Sequence, residues 1–372
     1  MRVPGGVNCK GNVYKFPYIQ DFLILYVWKR GCALAHKDNV AARLRSAQKI
    51  LQAKFYCTGF LHLWDLVENL YRMEMQMKTC KICPRECNVD RSGGIMGYCG
   101  ETMQIRIART SLHQWEEPCI TGEFGSGTVF FSGCSLKCIF CQNHNIADNS
   151  VGQTFTTQEL ADAFLRLQKK KASNINLVTA GHFVEQIIPA IQLAKENGLA
   201  IPIVYNSSGY ETVESLQKLE GLVDIYLPDC KFFSTKLSKD YAKAEDYFAV
   251  ASKAIAEMVR QTKEAVFEQE SGRMLKGVLV RHLVLPGHTK DSKEIIRYLN
   301  ETYGRDIFIS IMNQYTPVVK QAEFENLNRR VTKREYQRVI DFAIALGIEN
   351  AFIQEGETAQ ESFIPEFDCS FI

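Results

Sequence analysis

The sequence predicts an α/β fold: a partial (β/α)6-type TIM barrel with an N-terminal four-cysteine module. From Thr128 onward, short Val/Ile/Leu-rich segments alternate with amphipathic segments, as in parallel α/β proteins. The apolar segments are continuous runs, which is typical of strands covered on both faces. About six such repeats in about 240 residues suffice for a full or partial barrel, whose active site lies at the carboxyl ends of its strands.

The individual elements are predicted in chain order. Two helix starts match a capping box, Thr156 with Glu159 and Thr332 with Glu335. Gly198 and Gly347 stand where helices should end. The strand candidates are residues 128–132, 175–180, 201–206, 224–229, 277–286, 306–314 and 351–354.

The chain of 372 residues, 46% apolar and 23% charged, is long enough for one large domain and an appendage. We predict an N-terminal extension over residues 1–72, a cysteine-rich module over 73–125 and a core domain over 126–372. Met73, Met75 and Met77 directly precede the first cysteine cluster. We therefore hypothesise that the natural chain starts there and that the extension is a mis-called start.

The overall charge excludes some classes of partner. Lysine and arginine number 44 against 42 aspartates and glutamates, so the balance indicates neither nucleic acid nor a membrane surface. The apolar run 22–28 is too short to span a bilayer, and no small-residue cleavage site follows it. We predict a cytoplasmic protein. In such a chain, clusters among the 13 cysteines indicate metal rather than disulfides.

One cysteine cluster follows the first predicted strand. Cys134, Cys138 and Cys141 have C-x3-C-x2-C spacing in a loop. Three thiolates so close together can bind three irons of a cubane and leave the fourth iron free of protein, which makes that iron a reaction site. The alternative is a structural zinc site, which needs four ligands and would take His144 as the fourth.

A second cysteine group lies upstream. Four thiolates complete the shell of a zinc or iron site without outside help, so a closed structural site is the natural first interpretation. The sequence leaves open zinc, a rubredoxin-like iron, an auxiliary 4Fe-4S cluster and unoccupied reduced thiols. The four residues are Cys80, Cys83, Cys87 and Cys99.

The C-x3-C-x2-C spacing, with the aromatic Phe140 before the last cysteine, resembles the signature of the radical S-adenosylmethionine superfamily. The resemblance implies that the open iron binds S-adenosylmethionine. One electron, from a donor such as reduced flavodoxin or ferredoxin, then yields methionine and a 5′-deoxyadenosyl radical that abstracts hydrogen. Phe140 would pack near the adenine. No side chain is assigned as catalytic, because the cluster and S-adenosylmethionine carry the radical chemistry.

Two predicted strand ends resemble those of glycyl-radical-enzyme activases. Residues 205–210 read Tyr-Asn-Ser-Ser-Gly-Tyr and residues 228–231 read Pro-Asp-Cys-Lys, where activases have Asp-Thr-Asn-Gly and Asp-Leu-Lys. The resemblance implies that these positions help to bind a monovalent cation and the S-adenosylmethionine carboxylate, although asparagine in place of aspartate removes one negative charge. The alternative is a solvated strand end. The matching residues are Asn206, Ser207, Asp229 and Lys231.

The strand around Arg281 reads Arg-His-Leu-Val-Leu-Pro-Gly and is similar to the activases' Arg-Tyr-Val-Val-Val-Pro-Gly. Arg281 would then face the cofactor, where its guanidinium can hold a carboxylate or a ribose. Residues 179–182 read Thr-Ala-Gly-His where many family members have Gly-Gly-Glu. Backbone carbonyls there can still accept from the cofactor's amino group, and Gly181 permits close approach.

From about Cys80 to the end, including the C-terminal block 361–368, the chain resembles the X-type homologue of pyruvate formate-lyase activating enzyme. This implies hydrogen abstraction from a backbone glycine of a partner protein. Two alternatives stay open: radical modification of a small molecule or another macromolecule, and an iron-sulfur electron carrier without catalysis. The sequence does not specify the substrate, because a fold does not fix a function.

Overall fold

The computed structural model describes residues 79–354 and 367–372. The predicted extension over residues 1–72 and the hypothesised start at Met73, Met75 or Met77 lie outside the described residues, as does most of the block 361–368. Residues Glu74–Ile372 form one compact unit. The three-part division of the chain stays a prediction.

The described residues form one sheet of ten strands. The strands are β1 (Ile105–His113), β2 (Ser126–Phe131), β3 (Gln153–Phe155), β4 (Ile175–Val178), β5 (Ile203–Ser207), β6 (Ile225–Pro228), β7 (Val266–Phe267), β8 (Met274–Leu283), β9 (Phe308–Met312) and β10 (Ala351–Ile353). Their order is β10-β9-β8-β6-β5-β4-β2-β1-β3, and β7 pairs with β8.

The sheet is open and mostly parallel, which confirms the predicted α/β class. All seven predicted strands are present and pair in parallel, as β2, β4, β5, β6, β8, β9 and β10. The other strands were not predicted. β1 and β3 extend one edge in antiparallel pairing, and β7 pairs antiparallel with the start of β8.

Helices connect the parallel strands. Both predicted capping boxes are present. The side chains of Thr156 and Thr332 each accept a hydrogen bond from the backbone N–H of the glutamate three residues on, and that glutamate's side chain accepts one from the backbone N–H of the threonine. Gly198 and Gly347, with φ of 93° and 73°, directly follow the ends of two helices. Within the described ranges, no helix is long and apolar enough to cross a membrane. The helices are α1 (Pro118–Thr121), α2 (His144–Ala147), α3 (Thr157–Lys169), α4 (Val184–Glu196), α5 (Val213–Gln217), α6 (Thr235–Ala242), α7 (Tyr247–Thr262), α8 (Thr289–Tyr303) and α9 (Lys333–Ala345).

The sheet buries both of its faces. On the outer face, Leu177 of β4 belongs to the same apolar cluster as Phe164 of α3 and Ile187 of α4. On the inner face, Val204 and Ile225 belong to a separate cluster. The central strands β2, β4, β5 and β6 are buried along their whole length. Their residues are therefore mostly apolar without alternation, which is the pattern that predicted these strands.

The segment that includes α1 covers the amino-terminal end of the inner face of the open sheet, and we call the space along that face the barrel interior. Ile120 packs in the inner apolar cluster with residues of β5, β6 and β8. Two side chains at the start of β4 hold the segment: Ser173 Oγ donates to the Thr121 carbonyl at 2.8 Å, and Asn174 Nδ2 donates to the Ile120 carbonyl at 2.7 Å. The residues just before α1 therefore lie inside the barrel.

Candidate active site

The predicted cysteine loop begins at the carboxyl end of β2. Gly133 has φ +80°, and a Cβ there would lie 2.7 Å from the carbonyl oxygen of Cys99, so the turn into the loop requires glycine. Cys134, Cys138 and Cys141 follow as free thiols. Among the described residues, no three His, Cys, Asp or Glu side chains converge as ligands of one ion do. Cubane thiolates each bind a different iron and do not converge in that way.

Burial sets the protonation of the loop thiols. Desolvation raises the pKa of Cys134 to about 11 and raises those of Cys138 and Cys141 as well. The charge of Lys231 opposes this rise at all three thiols. The loop therefore lies next to an ammonium group that favours thiolates, and binding of a metal would deprotonate the thiols fully.

Backbone and aromatic contacts hold the loop in place. Its backbone N–H groups at Lys137 and Ile139 donate to carbonyls at the end of α6. Phe140 is buried among three aromatic rings, with centroid distances of 6.1 Å to Phe232, 6.4 Å to Tyr241 and 6.1 Å to Tyr315. Edge-to-face and tilted packing of this kind fixes the last turn of the loop.

The predicted strand-end residues form one charged network. Lys231 Nζ contacts Asp229 Oδ2 at 2.5 Å, and Arg281 Nε donates to Asp229 Oδ1 at 3.0 Å. Arg281 also donates to Asn206 Oδ1 at 2.6 Å. The side chains of Asp229 and Lys231 are 13% and 21% exposed, so they do not form a solvated strand end.

Mutual attraction keeps this network ionised. Burial alone would raise the pKa of Asp229, but Lys231 and Arg281 hold it below its ordinary value. Burial alone would lower the pKa of Lys231, but Asp229 and Cys138 raise it. The network therefore offers fixed charges of both signs beside the cysteine loop.

Two other predicted residues make different contacts. Ser207 Oγ accepts from the N–H of Gly209 at 3.1 Å, which stabilises the turn after β5. The backbone at Gly181 closely approaches the buried carboxylate of Glu211, and a Cβ at this position would clash with that carboxylate. His182 is also buried, and its Nε2 is 2.7 Å from the Ser132 carbonyl just before the loop.

The upstream cysteines share one small module. A bridge between Thr79 and Asp90 closes it, and Cys80 N–H donates to the Val89 carbonyl at 2.9 Å. A Cβ on Gly97 would lie 3.4 Å from the sulfurs of both Cys87 and Cys99. Burial raises the pKa of Cys83 to about 12. The fold places the four cysteines in one part of the chain, but no three of them converge as ligands of a single ion among the described residues. The metal-binding role of the module stays a prediction.

Two arginines connect the module to the barrel. Arg91 is buried, and it donates to the His182 carbonyl at 2.7 Å and to Cys80 Sγ at 3.7 Å. Arg85 Nε donates to the Ser135 carbonyl of the loop at 2.8 Å. Cys134 N–H in turn donates to the Cys99 carbonyl at 3.2 Å. The two cysteine groups therefore lie side by side.

Several residues of the site carry no signal in the sequence. Glu116 Oε2 is 3.3 Å from Arg281 Nη1, and its Oε1 accepts from Asn176 Nδ2 at 2.9 Å. Glu117 lies beside it. The pair precedes a proline in what looks like a solvated loop, and no periodicity marks it as buried. Only the inward course of the segment before α1 reveals the role of these side chains.

A family model described as a 4Fe-4S single cluster domain matches residues 120–244, which include all three loop cysteines. An uncharacterized protein of Methanocaldococcus jannaschii is 27% identical over 274 residues, covering 72% of this chain and 74% of that protein. The pyruvate formate-lyase-activating enzyme of Clostridium pasteurianum is 28% identical over 178 residues, covering 46% of this chain and 66% of that enzyme.

Among solved structures, the FeFe-hydrogenase maturase HydG from Carboxydothermus hydrogenoformans matches with a TM-score of 0.43 at 12% identity, covering 62% of this chain and 54% of that one. The sequence matches confirm the resemblance to the radical S-adenosylmethionine superfamily and, within it, to enzymes of the activase type.

Proposed function

We propose that this protein is a radical S-adenosylmethionine enzyme in which Cys134, Cys138 and Cys141 hold a 4Fe-4S cluster with one iron free of protein. One observation carries the proposal: the three cysteines lie together in a half-buried loop at the carboxyl end of β2, beside Lys231. The resemblance to the superfamily supports it independently. Bound there, the cluster and S-adenosylmethionine would supply radical chemistry: with one electron from an external donor, they would yield methionine and a 5′-deoxyadenosyl radical that takes a hydrogen atom from the substrate.

The chemistry of the loop residues fits such a cluster. All three cysteines are free thiols, and sulfur donors are the ligands that iron-sulfur clusters use. Lys231 places a positive charge where a thiolate-bound cluster would be negative. The aromatic packing of Phe140 keeps water from one side of the loop.

The charged network fits the polar ends of S-adenosylmethionine. Lys231 would bind the carboxylate of the cofactor and share its ammonium with Asp229. Arg281 would bind a carboxylate or the ribose of the cofactor. The oxygen atoms of Asn206, Ser207 and Asp229 would help to hold a monovalent cation. Phe140 would pack near the adenine, and the backbone at Gly181 would accept from the cofactor's amino group.

For the substrate, we propose a glycine residue of a partner protein. The similarity to an enzyme named for activating pyruvate formate-lyase supports this choice. A one-electron donor such as reduced flavodoxin or ferredoxin would serve the cluster in the cytoplasm. For the upstream module, we propose a closed structural site of zinc or iron on Cys80, Cys83, Cys87 and Cys99.

The proposal is tested by anaerobic reconstitution with iron and sulfide, reduction with dithionite and assay for 5′-deoxyadenosine. We expect 5′-deoxyadenosine from the wild type, none from Cys141→Ala, and normal amounts from the control Cys369→Ala, which removes a cysteine outside the motif. An intact, reduced cluster without any 5′-deoxyadenosine would make the chain an electron carrier instead. If 5′-deoxyadenosine does form, deuterated candidate substrates would show whether the deuterium it acquires comes from a peptide glycine or from a small molecule.

A further inference from the structure

Two carboxylates and one amide line the floor of the barrel, and the activity proposed above uses none of them. Glu116 and Glu117 stand before α1, and Asn176 projects from β4. Glu116 reaches from Asn176 to Arg281, so it spans the interior between β4 and β8. Glu117 lies near Arg281 and is within hydrogen-bond reach of Ser310 on β9. We call Glu116, Glu117 and Asn176 the floor acceptors.

The barrel interior holds an excess of negative charge. Its acidic side chains are Glu116, Glu117 and Asp229, whereas its basic side chains are Arg281 and Lys231. Among the described residues, the guanidinium of Arg281 donates to Asp229, Glu116 and Asn206. One carboxylate therefore has no cation of its own. Burial accordingly raises the pKa values of Glu116 and Glu117, and the charge of Arg281 opposes that rise.

Two floor acceptors also have an oxygen without a donor. Within residues 79–354 and 367–372, Glu117 Oε2 and Asn176 Oδ1 are buried and have no hydrogen-bond partner. Glu117 is 9% exposed and Asn176 is fully buried. Both oxygens only accept hydrogen bonds, so a ligand that satisfies them must donate.

We propose that the floor acceptors bind a primary ammonium group of the substrate, with Glu117 as its counter-charge and the Asn176 carbonyl oxygen as a second acceptor. An ammonium group carries the missing positive charge and has three N–H donors, which suits two free oxygens. This inference rests on the function proposed above only in taking the barrel interior as the place of the substrate. The ammonium group could come from a lysine side chain of a peptide or from a small amine.

The test is the thermal unfolding of anaerobic holoprotein saturated with S-adenosylmethionine, at constant ionic strength. The probes are methylammonium chloride and a blocked Gly-Lys-Gly tripeptide. Potassium chloride is present at one constant, saturating concentration in every sample, so that the proposed monovalent-cation site stays occupied. The control is tetramethylammonium chloride, which has the charge without N–H donors. We expect saturable stabilisation by the probes and none by the control. Tighter binding of the tripeptide would identify a peptide source, and tighter binding of methylammonium would identify a small amine.

The matched variants are Glu117→Gln, which removes the unpaired charge with little change of shape, and Glu123→Gln, which removes an exposed carboxylate six residues further on. Glu117→Gln should weaken probe binding by roughly tenfold to a hundredfold, and Glu123→Gln should not change it. Equal responses to methylammonium and tetramethylammonium would overturn the inference, because the N–H donors would then contribute nothing. Stabilisation that disappears with S-adenosylmethionine bound would overturn it too, by assigning the charge to that cofactor.

The result does not depend on the radical reaction. Wild-type protein that makes 5′-deoxyadenosine but ignores both probes contradicts this inference alone. Protein that binds the probes but makes no 5′-deoxyadenosine contradicts the proposed function alone. The wild-type comparison of probes also stands if Glu117→Gln does not fold.

Discussion

The two cysteine groups of this protein are neighbours, yet their surroundings differ. The thiols of the module lie beside Arg91, whose donors are taken up by the Glu101, Thr102 and His182 carbonyls and by the sulfur of Cys80. The thiols of the loop lie beside Lys231, which belongs to a network that still has free acceptors. A module whose neighbouring arginine is bonded to backbone carbonyls suits a closed structural site. A loop beside a charged network that has unpaired acceptors at its far end suits a site that takes ligands.

The largest contrast should come from removing one thiol in each group. Cys138→Ala should abolish the absorption of the loop cluster and the formation of 5′-deoxyadenosine, because three thiolates are the fewest that hold a cubane with one open iron. Cys83→Ala should leave that cluster in place, because its thiol belongs to the other group. Iron content and visible absorption after anaerobic reconstitution measure both. Equal loss from the two variants would show that the sites do not divide as the structure suggests.

The charged network can be tested through the stability of the protein. Arg281→Met leaves Asp229 and Glu116 with less compensation inside the barrel, so the free energy of unfolding should fall by about 3–5 kcal/mol. The control is Arg297→Met, which breaks an ion pair with Glu294 on the surface of α8 and should change stability by less than about 1 kcal/mol. Urea denaturation measures both. Similar losses for the two variants would mean that the network contributes no more than a surface pair.

A smaller effect is expected at His182, the residue that joins the two regions. Burial lowers the pKa of His182 to about 3, from an ordinary value of 6.5. The pKa of His182 is lower in the folded state than in the unfolded state, so the neutral imidazole stabilises the folded protein fully above pH 6.5. The folded protein loses that stabilisation as the pH falls from 6.5 toward 3. By pH 5 the loss should be about 2 kcal/mol.

Urea denaturation at pH 7 and pH 5 would measure the acid sensitivity of His182. The wild type should lose more stability between these values than His182→Gln, which cannot take up a proton. His144→Gln, at an exposed histidine of α2, should behave as the wild type does. If the wild type and His182→Gln lose the same stability between pH 7 and pH 5, the pKa of His182 is not lowered in the folded protein.

Much of the fold could be predicted because its signals are local. The parallel strands are continuous apolar runs, and the capping boxes at Thr156 and Thr332 are four-residue patterns that act through their own backbone. The antiparallel strands β1, β3 and β7 were missed. β3 and β7 are only three and two residues long, and an edge strand is defined by the neighbour it pairs with rather than by its own composition.

By itself, the sequence determined which cysteines belong to each group, because close spacing along the chain limits how far apart they can lie. It also determined the order of the parallel strands along the chain. Only the tertiary structure decided that Glu116, Glu117 and Asn176 meet Arg281 inside the barrel, and that the module lies against the loop through Arg85 and Cys99. Those contacts join residues far apart in the chain, and they form only when the strands come together and the segment before α1 turns inward.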